Sequence, residues 1–90
     1  MESKINKAVL HATVGMLRIN YPKGTRVVLV KMDDMQAPPI GTQGTVQLVD
    51  DQGTIMVDWD NGSHLGVVLG EDECRKIMLM YGKEASNRKQ

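Results

Sequence analysis

The chain has 90 residues and a formal net charge of zero, from 11 basic and 11 acidic side chains. This length supports one domain and excludes a second hydrophobic core. The chain has no phenylalanine, one tryptophan, two tyrosines and seven methionines, so we expect a small core built from aliphatic side chains and methionine.

Cysteine content and hydropathy bear on location. The single cysteine, Cys74, excludes an internal disulfide, which is typical of proteins in reducing compartments. The N-terminus shows no signal-peptide pattern, and no apolar run approaches the roughly 20 residues that span a bilayer. We therefore expect a cytoplasmic protein.

The zero net charge hides a division of the chain into three blocks. Residues 1–31 carry a charge of +5, residues 32–73 carry −9, and residues 74–90 carry +4. The central block contains no lysine or arginine. Such a division concerns association rather than fold. It predicts an acidic surface that meets a basic one, either on the ends of the same chain or on another molecule.

Residues 3–20 are predicted to form an amphipathic helix, which Ser3 can cap and which Pro22 ends. Leu10, Val14 and Leu17 fall outside the main apolar stripe and make the apolar arc broad. One side of the arc is expected to pack on the β domain, and the other faces a partner chain, such as a second copy in a homodimer, or solvent. The main stripe consists of Ile5, Ala8, Val9, Ala12, Met16 and Ile19.

Five segments with two-residue periodicity follow and predict short strands at residues 26–31, 45–49, 54–59, 63–69 and 74–78. In the first, both faces are apolar, so the helix is expected to cover one of them. Asp50-Asp51-Gln52-Gly53 and Asp60-Asn61-Gly62 are typical of tight hairpin turns. The side chains predicted to point inward from the later strands are Val46, Leu48, Ile55, Val57, Trp59, Leu65, Val67 and Leu69.

Residues 32–43 are too long for a tight turn, and Pro38-Pro39 indicates a rigid excursion loop rather than a displayed ligand. The order of elements describes a mainly β protein, a small five-stranded SH3-like barrel with an N-terminal amphipathic α-helix. We expect residues 1–21 to form the helix, residues 22–80 the barrel, and residues 81–90 a disordered tail.

Six motifs are distributed along residues 21–77. They are Tyr21-Pro22-x-Gly24-Thr25-Arg26-Val27, Met32-Asp33-Asp34, Ala37-Pro38-Pro39-x-Gly41-Thr42-x-Gly44-Thr45-Val46, Val49-Asp50-Asp51-x-Gly53, Trp59-Asp60-Asn61-Gly62-Ser63 and Cys74-Arg75-Lys76-Ile77. Together they resemble a domain family of unknown function that is common in phages and mobile elements of Gram-positive bacteria. The resemblance implies a small β-barrel and a phage or mobile-element origin. It implies no catalytic assignment and supplies no functional residues.

The side chains that could carry chemistry favour structural interpretations. Paired aspartates can bind Ca²⁺ or Mg²⁺, but these pairs lack EF-hand spacing, and aspartate beside glycine is common in turns. The phase of Trp59 places it in the core rather than on a peptide-binding surface. His11, His64 and Cys74 form no recognisable ligand or catalytic set. We expect no enzyme activity, no metal and no cofactor.

The charge pattern favours a non-catalytic protein-interaction module whose acidic loops bind a partner with a basic surface. A sharper form of this hypothesis is a phage-encoded inhibitor of a host defence nuclease, such as a CRISPR effector, acting in the host cytoplasm. The expected contact residues are Asp33, Asp34, Asp50, Asp51, Asp58 and Asp60.

The alternative is a nucleic-acid-binding accessory or regulatory protein that uses its basic ends, because phosphate binding depends on lysine and arginine. The acidic character of the central block makes direct nucleic-acid binding the weaker hypothesis. The side chains it would use are Lys4, Lys7, Arg18, Lys23, Arg88 and Lys89.

Overall fold

The computed structural model describes residues 7–77, with side chains from Leu10 onward. One helix precedes five strands, so the expectation of a mainly β fold is confirmed. The predicted tail (residues 81–90) and the ends of the predicted helix and last strand lie outside the described residues. The elements are α1 (Lys7–Asn20), β1 (Arg26–Lys31), β2 (Gln43–Val49), β3 (Thr54–Trp59), β4 (Val67–Val68) and β5 (Glu73–Lys76).

The strands form one antiparallel sheet in the order β4-β3-β2-β1-β5. Within residues 7–77 no ladder of hydrogen bonds joins β4 to β5. The sheet is therefore open, whereas the sequence predicted a closed barrel. The reason lies in β4, which was expected to span residues 63–69 but has only two residues. The segment before β4 is joined to β3 by a side-chain contact instead, because the indole N–H of Trp59 donates to the Leu65 carbonyl at 2.8 Å.

The core lies between the sheet and α1. The predictions for Val46, Ile55, Val57, Trp59 and Val67 are confirmed, since all five side chains are buried. Together with these, the buried apolar side chains are Val14, Leu17, Val27, Leu29 and Val49.

Two side chains that were predicted to point into the core, Leu48 and Leu69, are instead 52% and 58% exposed. The β2–β3 register shifts between Val46 and Leu48, and such a bulge reverses the alternation, so that Val49 is buried instead. Leu69 follows the end of β4 and leads into a turn at Gly70, which has a φ of 95°. The two-residue periodicity of the sequence shows neither the bulge in β2 nor the turn after β4.

The face of α1 that packs on the sheet lies opposite the main apolar stripe. Val14 and Leu17 are buried and lie over Gly53 in the β2–β3 turn, whereas Met16 and Ile19 are 59% and 74% exposed. Arg18 stabilises this orientation, because its Nε and Nη2 donate to the Val49 carbonyl at 3.1 and 3.0 Å. The helix also packs mainly against β2 and not, as expected, over β1.

The β1–β2 loop, residues 32–42, is the expected excursion loop. Its base is fixed to β1, because the Leu29 N–H donates to the Thr42 carbonyl and the Gly41 N–H donates to the Leu29 carbonyl. Pro38 is buried, in keeping with a rigid loop element. The loop therefore leaves the sheet from a firmly bonded base.

Candidate interaction site

The six aspartates predicted to bind a partner do not form a single cluster. In the β2–β3 hairpin, Val49 pairs with Ile55 at one end and Gly44 pairs with Trp59 at the other. Asp50 and Asp51 therefore lie at the opposite end of this hairpin from Asp60. The third pair, Asp33 and Asp34, lies in the β1–β2 loop. The sequence correctly placed Asp58 in a strand and the other five in turns and loops, but it could not show how far apart they are.

The Asp50–Asp51 pair is part of the fold. The Asp50 Oδ1 accepts hydrogen bonds from the backbone N–H groups of Gln52 and Thr54, both at 2.9 Å. The Asp51 Oδ1 lies 2.9 Å from Nη2 of Arg18. The first contact stabilises the tight turn, as turn chemistry predicts. The second joins the turn to α1, so this pair is already engaged within the chain.

The Asp58 and Asp60 carboxylates are engaged too. Arg26 binds Asp60 with both ends of its guanidinium, at 2.9 Å to Oδ1 and 2.6 Å to Oδ2. The hydrogen bonds from Arg26 hold the pKa of the Asp60 carboxyl below its usual value. The Asp58 Oδ1 lies 2.7 Å from Nδ1 of His64. Arg18 and Arg26, from the basic residues 1–31, thus bind aspartates of the acidic residues 32–73. The charge pattern allowed for such contacts within the chain as well as for a basic partner.

The Asp33–Asp34 pair differs from the other two. The Asp34 Oδ1 accepts a hydrogen bond from the Gln36 N–H at 2.7 Å, and the Ala37 N–H donates to the Asp34 carbonyl at 3.0 Å. Both aspartates are exposed. In the described part of the chain no lysine, arginine or histidine forms an ion pair with either of them. Their negative charge is therefore directed to solvent.

Apolar side chains accompany this charge. Met35 stands at the turn between Asp34 and Ala37 and is fully exposed, at 102%, and Ile40 is 61% exposed. Sequence reasoning missed both residues, although two large apolar side chains inside a loop of aspartates and prolines were a usable signal. We define the loop site as Asp33, Asp34, Met35 and Ile40.

The remaining candidates for chemistry are structural. Among residues 7–77 no group of three histidine, cysteine or carboxylate side chains could hold a metal ion. His11 lines an open cleft between α1 and the β2–β3 turn, but the charged groups there, Arg18 and Asp51, bind each other. Trp59 is buried, so it offers no aromatic surface to a peptide.

Cys74 is half-buried beside Tyr21 and the core. Burial, followed by the negative charge of Glu73, raises the pKa of the Cys74 thiol to about 11. Burial also raises the pKa of the Tyr21 hydroxyl, with a smaller effect from Cys74. Only the thiolate is a strong nucleophile, so Cys74 is poorly suited to covalent chemistry at neutral pH.

We expect a thiol reagent at pH 8 to modify Cys74 at least about 100-fold more slowly in the folded protein than in denaturant, because an unfolded thiol has a pKa of about 8.5. The folded pKa lies above the unfolded value, so the Cys74 contribution to stability is present below pH ~8.5 and is lost as the pH rises towards about 11. The absorbance of the group that the reagent releases measures the rate of Cys74 modification. Equal rates in the folded and the denatured protein would contradict a raised pKa for the Cys74 thiol. The Cys74→Ala variant should lose part of the alkaline fall in stability.

Taken together, these features define a small mainly β domain with one helix on an open antiparallel sheet and an exposed acidic loop. Residues 10–77 match the family described as a domain of unknown function, DUF4314. The chain belongs to this family, and the match includes most of α1, which the resemblance had left outside. No curated protein matches the chain. Within residues 7–77, α1 is too short and too polar to cross a membrane.

Proposed function

We propose that this domain is a non-catalytic protein-interaction module that binds a partner with a basic surface through its β1–β2 loop. One observation carries the proposal. Asp33 and Asp34 are exposed and make no ion pair with the described basic residues, whereas Asp51, Asp58 and Asp60 each contact one. Glu71 and Glu73 are also exposed and make no described ion pair, but of these acidic segments only the loop carries a fully exposed methionine, Met35.

The loop site combines two kinds of contact. The carboxylates of Asp33 and Asp34 would attract a positively charged surface and raise the association rate. Met35 supplies an adaptable apolar anchor for a pocket on that surface. The hydrogen bonds at the loop base limit the conformational entropy lost on binding. Asp50, Asp51, Asp58 and Asp60 would contribute only to the long-range field, because their side chains are engaged within the domain.

The finer identity of the protein is part of the proposal. The strand order supports an SH3-like arrangement, and the family resemblance supports a phage or mobile-element origin. In that setting the target is a host nucleic-acid-handling enzyme with a basic channel, and in the sharpest form a defence nuclease such as a CRISPR effector. An acidic loop that enters such a channel would compete with the nucleic acid for the same lysines and arginines.

The test uses the full chain, an extract of a Gram-positive host, and two double variants. We expect the wild type to capture a basic protein at low salt and to release it as the salt rises towards about 0.5 M. Asp33→Asn/Asp34→Asn should weaken binding to the purified partner at least about tenfold. Asparagine keeps the Oδ1 acceptor that Asp34 offers to Gln36, so the turn is preserved while the charge is removed.

The matched control is Glu71→Gln/Glu73→Gln, which removes two exposed negative charges outside the loop. It should bind almost as tightly as the wild type. For a nuclease partner, added wild type should block cleavage of a DNA substrate, and the aspartate variant should not. If the aspartate variant bound with wild-type affinity at every salt concentration, the proposal would be wrong.

The same preparations test the nucleic-acid hypothesis. Of the side chains it would use, Arg18 is bound to Val49 and Asp51, and Lys23 is exposed. Lys4, Lys7, Arg88 and Lys89 lie outside the side chains that the structure describes. Retention of duplex DNA or single-stranded RNA on a filter at low salt would favour this hypothesis over a protein partner.

A further inference from the structure

Helix α1 carries two apolar faces, and only one packs on the sheet. Val14 and Leu17 are buried in the core, whereas Ala12, Met16 and Ile19 are exposed. At about 100° per residue, the exposed group lies roughly half a turn from the buried group. No part of residues 7–77 covers this outer face, defined as Ala12, Met16 and Ile19. A helix that is apolar on opposite sides is typically enclosed on both.

The spacing of the outer face is that of a helix-pairing seam. Ala12, Met16 and Ile19 are separated by four and three residues, and in the sequence the pattern continues through Val9 to Ile5. Alternating steps of three and four residues are the a and d positions of a coiled coil, which place apolar side chains against a second helix. The pattern thus indicates another α-helix as the occupant of the face.

The flanks of the seam favour an identical helix. Ala8 and Gly15 lie on one side of it, and Thr13 and Asn20 lie on the other, so no flanking position is charged. Flanking charges normally select a different partner or repel a second copy, and neither effect operates here. A Cβ added at Gly15 would meet nothing within 4 Å, so a second helix can approach closely at that position.

Arg18 points away from the seam, because it is bound to Val49 and Asp51 of its own sheet and turn. In an antiparallel pair centred between Ala12 and Met16, the large Met16 of each copy lies over the small Ala12 of the other. Two copies can therefore associate without a cluster of like charges and with large side chains facing small ones.

We propose that the outer face of α1 is a homodimer interface in which the α1 helices of two copies pack against each other. The helix is 14 residues long, so the buried area falls below the roughly 800 Å² per partner of a standard interface. We therefore expect a weak dimer with a Kd on the order of 10 μM. The dimer does not depend on the proposed function of the loop, but it would present two loop sites at once and so raise avidity.

Sedimentation analysis of the full chain from about 5 to 500 μM tests the proposal. We expect a monomer–dimer equilibrium in the wild type and a monomer throughout the range for Met16→Glu/Ile19→Glu. The control Gln36→Glu/Gln52→Glu adds the same charge at exposed positions off the face and should dimerise like the wild type. Circular dichroism should show that both variants remain folded, because Met16 and Ile19 contribute little to the core.

Three results would overturn the proposal. The first is a wild type that stays monomeric over the whole range. The second is a dimer that persists in Met16→Glu/Ile19→Glu. The third is a chain that dimerises only after residues 78–90 are removed, which would assign the outer face to the C-terminal segment of the same molecule.

Discussion

Replacing Trp59 by alanine is expected to remove a large part of the stability of the protein. The side chain is 3% exposed and is the only tryptophan. Removing a buried tryptophan costs about 3–5 kcal/mol, and a domain of this size has a total stability of about 5–13 kcal/mol. Urea unfolding followed by circular dichroism measures the loss, since the variant has no tryptophan fluorescence.

The variant Trp59→Phe separates packing from hydrogen bonding. Phenylalanine keeps an aromatic ring in the core but removes the N–H that donates to the Leu65 carbonyl at 2.8 Å. Loss of that donor and of part of the ring should lower the free energy of unfolding by about 1–3 kcal/mol. An unchanged urea midpoint for Trp59→Ala would show that the tryptophan does not organise the core as described.

Replacing Gly44 by alanine is expected to produce the second large loss of stability. A Cβ there would lie 2.6 Å from Cγ1 of Val57, 2.8 Å from Cε3 of Trp59 and 2.9 Å from the Asp58 carbonyl oxygen. Rotamer changes cannot relieve the contact with a backbone oxygen, so β2 must move away from β3. We expect a loss of about 3 kcal/mol and a fall in Tm of more than about 10 °C.

Gly15→Ala is the matched control for this prediction. An added Cβ at Gly15 meets nothing within 4 Å, and alanine favours a helix over glycine by roughly 0.5–1 kcal/mol. The same chemical change should therefore raise the Tm of the protein when it is made at Gly15 in α1 and lower the Tm when it is made at Gly44 in β2. A Gly44→Ala protein that melts at the wild-type temperature would refute the close approach of the two strands.

The sequence predicted β3 well because its pattern is regular. Ile55, Val57 and Trp59 alternate with more polar residues, and the bounds and buried face are as expected. Tight turns on either side limit the register of such a strand. The irregular strands could not be predicted in this way. The bulge in β2 and the shortness of β4 arise from contacts between strands.

The sequence left the orientation of α1 open. Two opposite faces of the helix are apolar, and periodicity alone cannot say which of them meets the sheet. In the structure Val14 and Leu17 are buried, and Arg18 stabilises this orientation by binding the Val49 carbonyl, which lies 31 residues away in the chain. Long-range contacts of this kind are absent from a local sequence pattern.

The interaction site stays a prediction, and the structure shows where its six aspartates lie. Asp58 lies at an exposed strand position, and the other five lie in loops and turns. Arg18 pairs with Asp51 and Arg26 pairs with Asp60. The partners are 33 residues apart in the first pair and 34 in the second, so neither pair was visible in the sequence. In our proposal the contact residues are therefore Asp33 and Asp34, together with Met35 and Ile40.

The attachment of the β1–β2 loop has a consequence for evolution. The hydrogen bonds of Leu29 with Gly41 and Thr42 fasten the base of the loop to β1, and Pro38 within the loop is buried. Met35 at the tip contributes almost nothing to the core, so substitutions there leave folding intact. Selection can therefore change the side chains at the tip while the scaffold stays the same.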